Sequence, residues 1–121
     1  MWRAGSNHGR FLPIYYIVRP AQDMLIKHLE RSGTVISTLD SEQLRSGYVV
    51  LEQGEEVGEH STRDGEEILV LMEGTAEVTA AGETRAVPAP AVILIPANTS
   101  HNVKNRSGRS LRYVYVVAAK Y

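Results

Sequence analysis

The chain has 121 residues, which is enough for one domain and too few for two independent cores. Apolar residues make up 43% of the sequence, as in ordinary globular proteins, and a net charge of −1 argues against a dedicated nucleic-acid-binding protein. There are no cysteines, so disulfides, thiolate catalysis and cysteine-ligated metal centres are excluded.

The N-terminal region predicts a loose arm, one strand and one short helix. Residues 1–10 have the composition of a loop, and Ile14–Val18 is a β-branched and aromatic run that predicts a strand. Apolar side chains at Met24, Leu25 and Leu29 are compatible with one or two helical turns over residues 21–31. The longest apolar run near the start, residues 11–18, is too short for a membrane span. We therefore expect no membrane partner, and the absence of cysteines, which suits a reducing compartment, leads us to expect a cytoplasmic location.

From residue 34 onward the pattern changes to short apolar runs separated by turn residues. The predicted strands are Thr34–Thr38, Tyr48–Glu52, Ile68–Met72, Thr75–Thr79, Val92–Ile95, His101–Asn105 and Leu111–Ala118. A tight hairpin turn is predicted at Ala81-Gly82-Glu83. Many short strands with turn signals every eight to twelve residues or so predict an all-β sandwich or barrel.

Three side chains are candidate metal ligands: His60, Glu67 and His101. Imidazole nitrogens and carboxylate oxygens bind first-row transition metals. His60 and Thr62 lie two residues apart, on one face of an extended segment, and residues 63–66 (Arg-Asp-Gly-Glu) predict a hairpin turn. Either Thr62 or His60 then lies opposite Glu67, and all three face the same side in both registers. Spacing alone does not bring His101 to the other two.

Two groups of residues form a more specific pattern. The first group is Gly54, His60, Thr62, Glu67 and Gly74, and the second is Pro90, Pro96, Asn98, His101 and Asn105. At these spacings the chain resembles the two motifs of the cupin superfamily, in particular small single-domain cupins, over residues 48–118. The resemblance implies an all-β double-stranded β-helix, or jelly-roll barrel, with a short helical segment near the N-terminus. The expected organisation is a single domain, with an N-terminal arm, strand and helix (1–47) packed on a barrel (48–121).

The resemblance also implies that His60, Glu67 and His101 hold one divalent transition metal: Fe, Mn, Ni, Zn or Cu. The sequence departs from the motifs at Thr62, which replaces a histidine ligand, and at Pro90 and Asn98, which replace glycines. Two histidines and one carboxylate match the facial triad of non-haem Fe(II) oxygenases. The alternative is that Thr62 marks a lost site and a metal-free pocket. Asn98 tolerates the left-handed backbone conformation better than most residues.

Three tyrosines are further candidates near the metal or the pocket: Tyr48, Tyr113 and Tyr115. Tyr113 and Tyr115 share one face of the last predicted strand, and Tyr48 lies on the strand that precedes the first motif. One face of each barrel strand points inward, where a tyrosine can donate a proton or orient a substrate. The alternative is that these rings fill the core. No catalytic base is assigned, because Glu67 is expected to bind the metal.

The resemblance does not select one activity, because cupins include dioxygenases, isomerases, decarboxylases, storage proteins and sensor domains. We expect a metal-binding protein that acts on a small molecule, with dioxygenase-like or isomerase-like chemistry if it is catalytic. The alternative is a non-catalytic module that binds a sugar or an organic acid. We also expect a homodimer, because an open jelly roll leaves edge strands to cover, and Ile14–Val18 is the candidate for pairing with a partner.

Overall fold

The computed structural model describes residues 24–118, and all the regular secondary structure in this range is β-strand. The strands are β1 (Gly33–Ile36), β2 (Leu44–Leu51), β3 (His60–Ser61), β4 (Glu66–Glu73), β5 (Thr75–Ala80), β6 (Glu83–Pro88), β7 (Ala91–Ile95), β8 (Ser100–Lys104) and β9 (Leu111–Ala118). No helix within residues 24–118 is long and apolar enough to cross a membrane. The all-β prediction is confirmed.

The strands form two antiparallel sheets. The large sheet has the order β1-β2-β9-β4-β7, and the small sheet has the order β3-β8-β5-β6. All seven strands predicted from residue 34 onward are present, and the last has the predicted bounds. The hairpin between β5 and β6 turns at Ala81 and Gly82, whose φ angles of 52° and 79° suit a two-residue loop that follows the strand twist.

The core lies between the inner faces of the two sheets. Alternation along β4 buries Leu69 and Leu71, while Ile68 and Met72 on the same strand remain 40% and 44% exposed. The buried cluster comprises Leu51, Leu69, Leu71, Ala76, Val78, Ile95, Val103, Leu111 and Tyr113. At one end of the sandwich this core gives way to an open cavity, which contains the candidate site.

Gly74, a residue of the first motif, links β4 to β5 in a conformation that only glycine adopts readily. Its φ angle is 87°, and a Cβ atom there would lie 2.4 Å from the carbonyl oxygen of Ser110. Glycine is thus required at this position both by the backbone angle and by the close approach of the backbone at Ser110, the residue before β9.

The N-terminal predictions are only partly covered by the described residues. The helix predicted over 21–31 is wrong for its described part, because residues 24–30 have no regular secondary structure. Met24 and Ile26 are 84% and 68% exposed, so they bury no apolar face that could stabilise so short a helix. The predicted strand Ile14–Val18 and residues 21–23 lie outside the described residues. β1 and the first part of β2 belong to the large sheet, so this sheet begins before residue 48, where the sequence predicts the start of the barrel.

Candidate metal centre

The candidate metal centre lies in a cavity of about 570 Å³ that is walled by both sheets. His60 from β3, Glu67 from β4 and His101 from β8 all line it. Each offers one ligand atom, and these three atoms lie within 4.8 Å of one another. The three residues singled out in the sequence are therefore brought together by the fold.

Strand pairing explains how His101 reaches His60. The two residues are directly paired across the β3–β8 ladder, with ring centroids 4.2 Å apart. Glu67 approaches them from the other sheet, because β4 pairs with β7 and β9. The predicted hairpin joining His60 and Glu67 is therefore wrong.

The turn after β3 carries the chain from the small sheet to the large one. It is tied to the loop before β8, where the amide of Asn98 donates to the carbonyl of Arg63 at 2.6 Å. This hydrogen bond fastens the turn to the loop before β8, so β3 pairs with β8 and not with β4. His60 and Glu67 therefore face each other across the cavity from different sheets.

Backbone carbonyls set the orientation of both imidazoles. Nδ1 of His60 lies 2.9 Å from the carbonyl oxygen of Gly58, and Nδ1 of His101 lies 3.1 Å from that of Thr99. A carbonyl can only accept, so we assign the proton of each ring to Nδ1. Each Nε2 then presents a lone pair to the cavity, which is the arrangement typical of metal-binding histidines.

The Nε2 atom of His101 is buried and makes no hydrogen bond with the described residues. It lies 3.1 Å from Oε1 of Glu67, within ion-pair distance, and the two side chains are only 1% and 8% exposed. With the proton of His101 on Nδ1, these two atoms are both electron-rich, and a metal ion bound by them or a proton shared between them would stabilise the buried pair. Ligands at about 2.1 Å from one ion and at right angles would be about 3.0 Å apart, so the residues fit a metal.

Thr62 has a structural role in place of the ligand role of the motif histidine. Its hydroxyl donates to the carbonyl of Pro96 at 2.7 Å and accepts from the amide of Thr99 at 3.0 Å. Its own amide donates to the carbonyl of Thr99, which also accepts from His101. Thr62 therefore secures the turn whose carbonyl orients His101. In this turn Asn98 has a φ of 54°, the left-handed conformation that the sequence indicated.

The predicted pocket tyrosines divide between the two faces of the large sheet. Tyr113 and Tyr115 line the cavity. Burial, followed by the charge of Glu67, raises the pKa of Tyr113, so its hydroxyl stays protonated at neutral pH and remains a hydrogen-bond donor. Tyr48 lies on the opposite face and accepts a hydrogen bond from Arg112 at 2.9 Å. The prediction that Tyr48 lies near the pocket is wrong, because alternation along β2 points Val49 into the cavity and Tyr48 onto the opposite face of the sheet, where it is buried.

Asn105, the last residue of the second motif, supports the fold rather than the cavity. It is fully buried, and its Nδ2 donates to the carbonyls of Leu51 and Arg109. Its Oδ1 accepts from the amide and the hydroxyl of Ser107. Asn105 therefore fastens the loop between β8 and β9 to the end of β2.

Two cationic residues of the cavity were missed by sequence reasoning. Arg45 and Arg63 both line it. The strand containing Arg45 was predicted to begin only at Tyr48, so the inward position of Arg45 was not evident. Arg63 was assigned to a turn, and turn residues carry no periodicity that would show which way they point.

Comparisons with known proteins agree with this architecture. The family model described as "Cupin domain" matches residues 47–117. The Cnp3 cupin domain of Schizosaccharomyces pombe is 18% identical, with a TM-score of 0.68 over 74% of this chain and 64% of that one, which is less than two thirds of its length. A predicted oxalate decarboxylase from Thermotoga maritima is 19% identical, with a TM-score of 0.68 over 74% and 79% of the two chains.

A cupin 2 conserved barrel domain protein from Salinispora arenicola is 23% identical, with a TM-score of 0.66 over 79% of this chain and 89% of that one. At such identities these structures show the fold. The search of curated proteins found no match. With the family model covering more than half of its residues, this chain belongs to the cupin family.

Proposed function

We propose that the protein binds one divalent transition metal through His60, Glu67 and His101, and that it acts on a small molecule bound in the same cavity. The observation that carries this proposal is the buried Nε2 of His101, which lies 3.1 Å from Glu67 and has no hydrogen-bond partner among the described residues. A bound metal ion or a shared proton would resolve this arrangement, and the ligand atom of His60, within 4.8 Å of the other two, favours the metal.

The donor set narrows the choice of metal. Two imidazole nitrogens and one carboxylate suit Fe, Mn, Ni, Zn or Cu, and the absence of thiolates disfavours softer ions. Three protein ligands leave coordination positions for water or substrate, and an ion held there would supply Lewis-acid or redox chemistry. We therefore favour a mononuclear metal-dependent enzyme, dioxygenase-like or isomerase-like, as the function.

The residues around the three ligands have separate tasks in this proposal. The carbonyls of Gly58 and Thr99 hold the two imidazoles in place. Tyr113 offers a protonated hydroxyl, which can donate a hydrogen bond to a bound ligand. The apolar side chains of Leu69 and Val103 line the cavity nearby and exclude water from part of it. The Thermotoga maritima relative, described as a predicted oxalate decarboxylase, is in keeping with an enzymatic role.

A second candidate function is a binding or sensor module without catalysis. Two observations favour it. The hydroxyl of Thr62 is occupied by the turn that it secures. Glu59, the other carboxylate lining the cavity, accepts a hydrogen bond from Ser100 at 2.6 Å. The described lining thus offers no free carboxylate for proton transfer besides the candidate ligand Glu67.

Thermal unfolding with added metal tests the proposal. Tag-free protein is stripped with a chelator and then titrated, without oxygen, with Fe(II), Mn(II), Ni(II) or Zn(II). Metal at about one hundred times its Kd should stabilise the wild type by about 2.7 kcal/mol, which raises the Tm by about 11 °C.

The matched variants are His101→Ala, which removes a ligand, and His28→Ala, which removes an exposed histidine outside the cavity. We expect the metal-induced shift to disappear in the first and to persist in the second. Equal shifts in both variants would contradict the proposal. A metabolite that stabilises the metal-loaded protein without being converted would favour the binding module over the enzyme.

A further inference from the structure

We propose that the ligand of this cavity is a small organic acid, and that Arg45 and Arg63 bind its anionic group. The inference deepens the proposed function, since it concerns the same cavity. The inference rests on the two arginines, whereas the proposed function rests on the three metal ligands, so an experiment can contradict either one alone.

Arg45 stands in the same row of the large sheet as the carboxylate ligand. Arg45 on β2 pairs with Val117 on β9, and Val117 pairs with Glu67 on β4. Two strand spacings of about 4.8 Å separate the backbones of Arg45 and Glu67 by about 10 Å. Arg45 is exposed at the mouth of the cavity and forms no ion pair with any acid in the part of the chain that the structure describes.

Arg63 reaches the cavity from the turn that connects the sheets. Its φ angle is 56°, in the left-handed region where glycine or asparagine is the ordinary choice. The hydrogen bond from Asn98 to its carbonyl holds the backbone there. Its guanidinium has no carboxylate partner within residues 24–118. An unpaired arginine in a strained position on the wall of a cavity indicates a function for the side chain.

The charged side chains lining the cavity balance one another in the metal-free protein, and a bound metal would add to the attraction that the arginines exert on an anion. Arg45 and Arg63 contribute two positive charges, and Glu59 and Glu67 contribute two negative ones. A divalent ion therefore leaves an excess of two positive charges, with both histidines neutral. Guanidinium groups are donors only, and their planar fork matches carboxylate and phosphate oxygens.

The cavity wall beside the row of Arg45, Val117 and Glu67 is aromatic and aliphatic. In the row next to Arg45, the residue of β2 is Gly47, which pairs with Tyr115. A Cβ atom on Gly47 would come within 2.4 Å of the Tyr115 ring, so the ring lies directly over this glycine. Val49 and Leu69 continue the wall. The volume of about 570 Å³ suits a compact molecule with a flat or apolar body and an acidic head.

Calorimetric titration with three probes of one shape tests the inference. Phenylacetate and phenyl phosphate carry the two candidate acidic groups, and phenylacetamide is the neutral counterpart. We expect both anions to bind the wild type more tightly than the amide, and the tighter anion identifies the head group. Added salt should weaken the anions and leave the amide unchanged.

Arg45→Gln and Arg63→Gln remove one guanidinium each. Arg109→Gln removes the same charge from an exposed position outside the cavity. Each cavity variant should raise the Kd of the preferred anion about tenfold and leave that of the amide unchanged. The control variant should behave as wild type, and matching Tm values will confirm that the variants fold.

Three results would overturn the inference: equal affinity for the anion and the amide, no effect of the double cavity variant, or no saturable binding of either anion at millimolar concentration. All titrations are run on metal-free and metal-loaded protein. Anion binding that depends on the arginines in a protein that takes up no metal would sustain this inference and contradict the proposed function. Metal uptake by a protein whose anion binding does not depend on the arginines would sustain the proposed function and contradict this inference.

Discussion

Replacing Thr62 by valine tests the structural role of this residue directly. Valine keeps the shape and removes the hydroxyl, which donates to the carbonyl of Pro96 and accepts from the amide of Thr99. Thr62 itself is only 9% exposed, so water cannot readily replace both partners. Each lost hydrogen bond contributes about 1 kcal/mol, and we expect Thr62→Val to lower the free energy of unfolding by about 2 kcal/mol.

For a chain of this length, 2 kcal/mol corresponds to a fall in Tm of about 8 °C. Urea and thermal unfolding of metal-free protein measure the loss, with Thr62→Ser as the control that retains the hydroxyl. Metal uptake should remain close to one ion per chain, because the hydroxyl is bound to the turn rather than to the ligand group. A Thr62→Val variant as stable as wild type, or one that has lost its metal while remaining folded, would refute this reasoning.

The other predictions concern the core, the second motif, pH and assembly. Leu69→Ala should lower the free energy of unfolding by about 3 kcal/mol, since Leu69 is 1% exposed; a loss below about 1 kcal/mol in urea unfolding would contradict its place in the core. Asn105→Ala should lower stability by a similar amount, through two backbone carbonyls left unpaired, while calorimetry finds the metal affinity unchanged in the folded variant. The amide of Ser37 lowers the pKa of Asp40 below 3.8, so this carboxylate stabilises the fold above that pH and the stabilisation is lost as the pH falls. Asp40→Asn should therefore be destabilising by about 0.5 kcal/mol at pH 7, and a difference from wild type that does not shrink in unfolding at pH 3 would contradict this. The homodimer stays a prediction, and light scattering at micromolar concentration should give twice the chain mass rather than the mass of one chain.

Most of the strands were predictable because their side chains alternate over a core. Leu111–Ala118 has both the β-branched composition and the bounds of β9. The hairpin at Ala81-Gly82 was predictable because its turn residues favour positive φ. The absence of a helix over residues 24–30 was not predictable. The periodicity of a few apolar residues does not reveal whether any surface is available for them to pack against.

The candidate ligands were predictable from motif spacing, whereas their route to each other was not. The Asp64-Gly65 pair indicated a hairpin, but β3 pairs with β8 because the turn is fastened to the loop around Asn98. Long-range pairing of this kind leaves no local trace in the sequence. For the same reason the inward position of Arg45 and the outward position of Tyr48 depend on a register that only the assembled sheet fixes.

The most direct test of the metal centre is the metal content of tag-free protein, measured by elemental analysis beside the His60→Ala, His101→Ala double variant. Samples are analysed as purified and after anaerobic addition of Fe(II), Mn(II), Ni(II) and Zn(II) followed by removal of unbound ion. We predict close to one transition-metal ion per chain in the wild type and none in the double variant. Equal metal content in the two proteins, or none in the wild type after every addition, would contradict the assignment of His60, Glu67 and His101 as a metal centre.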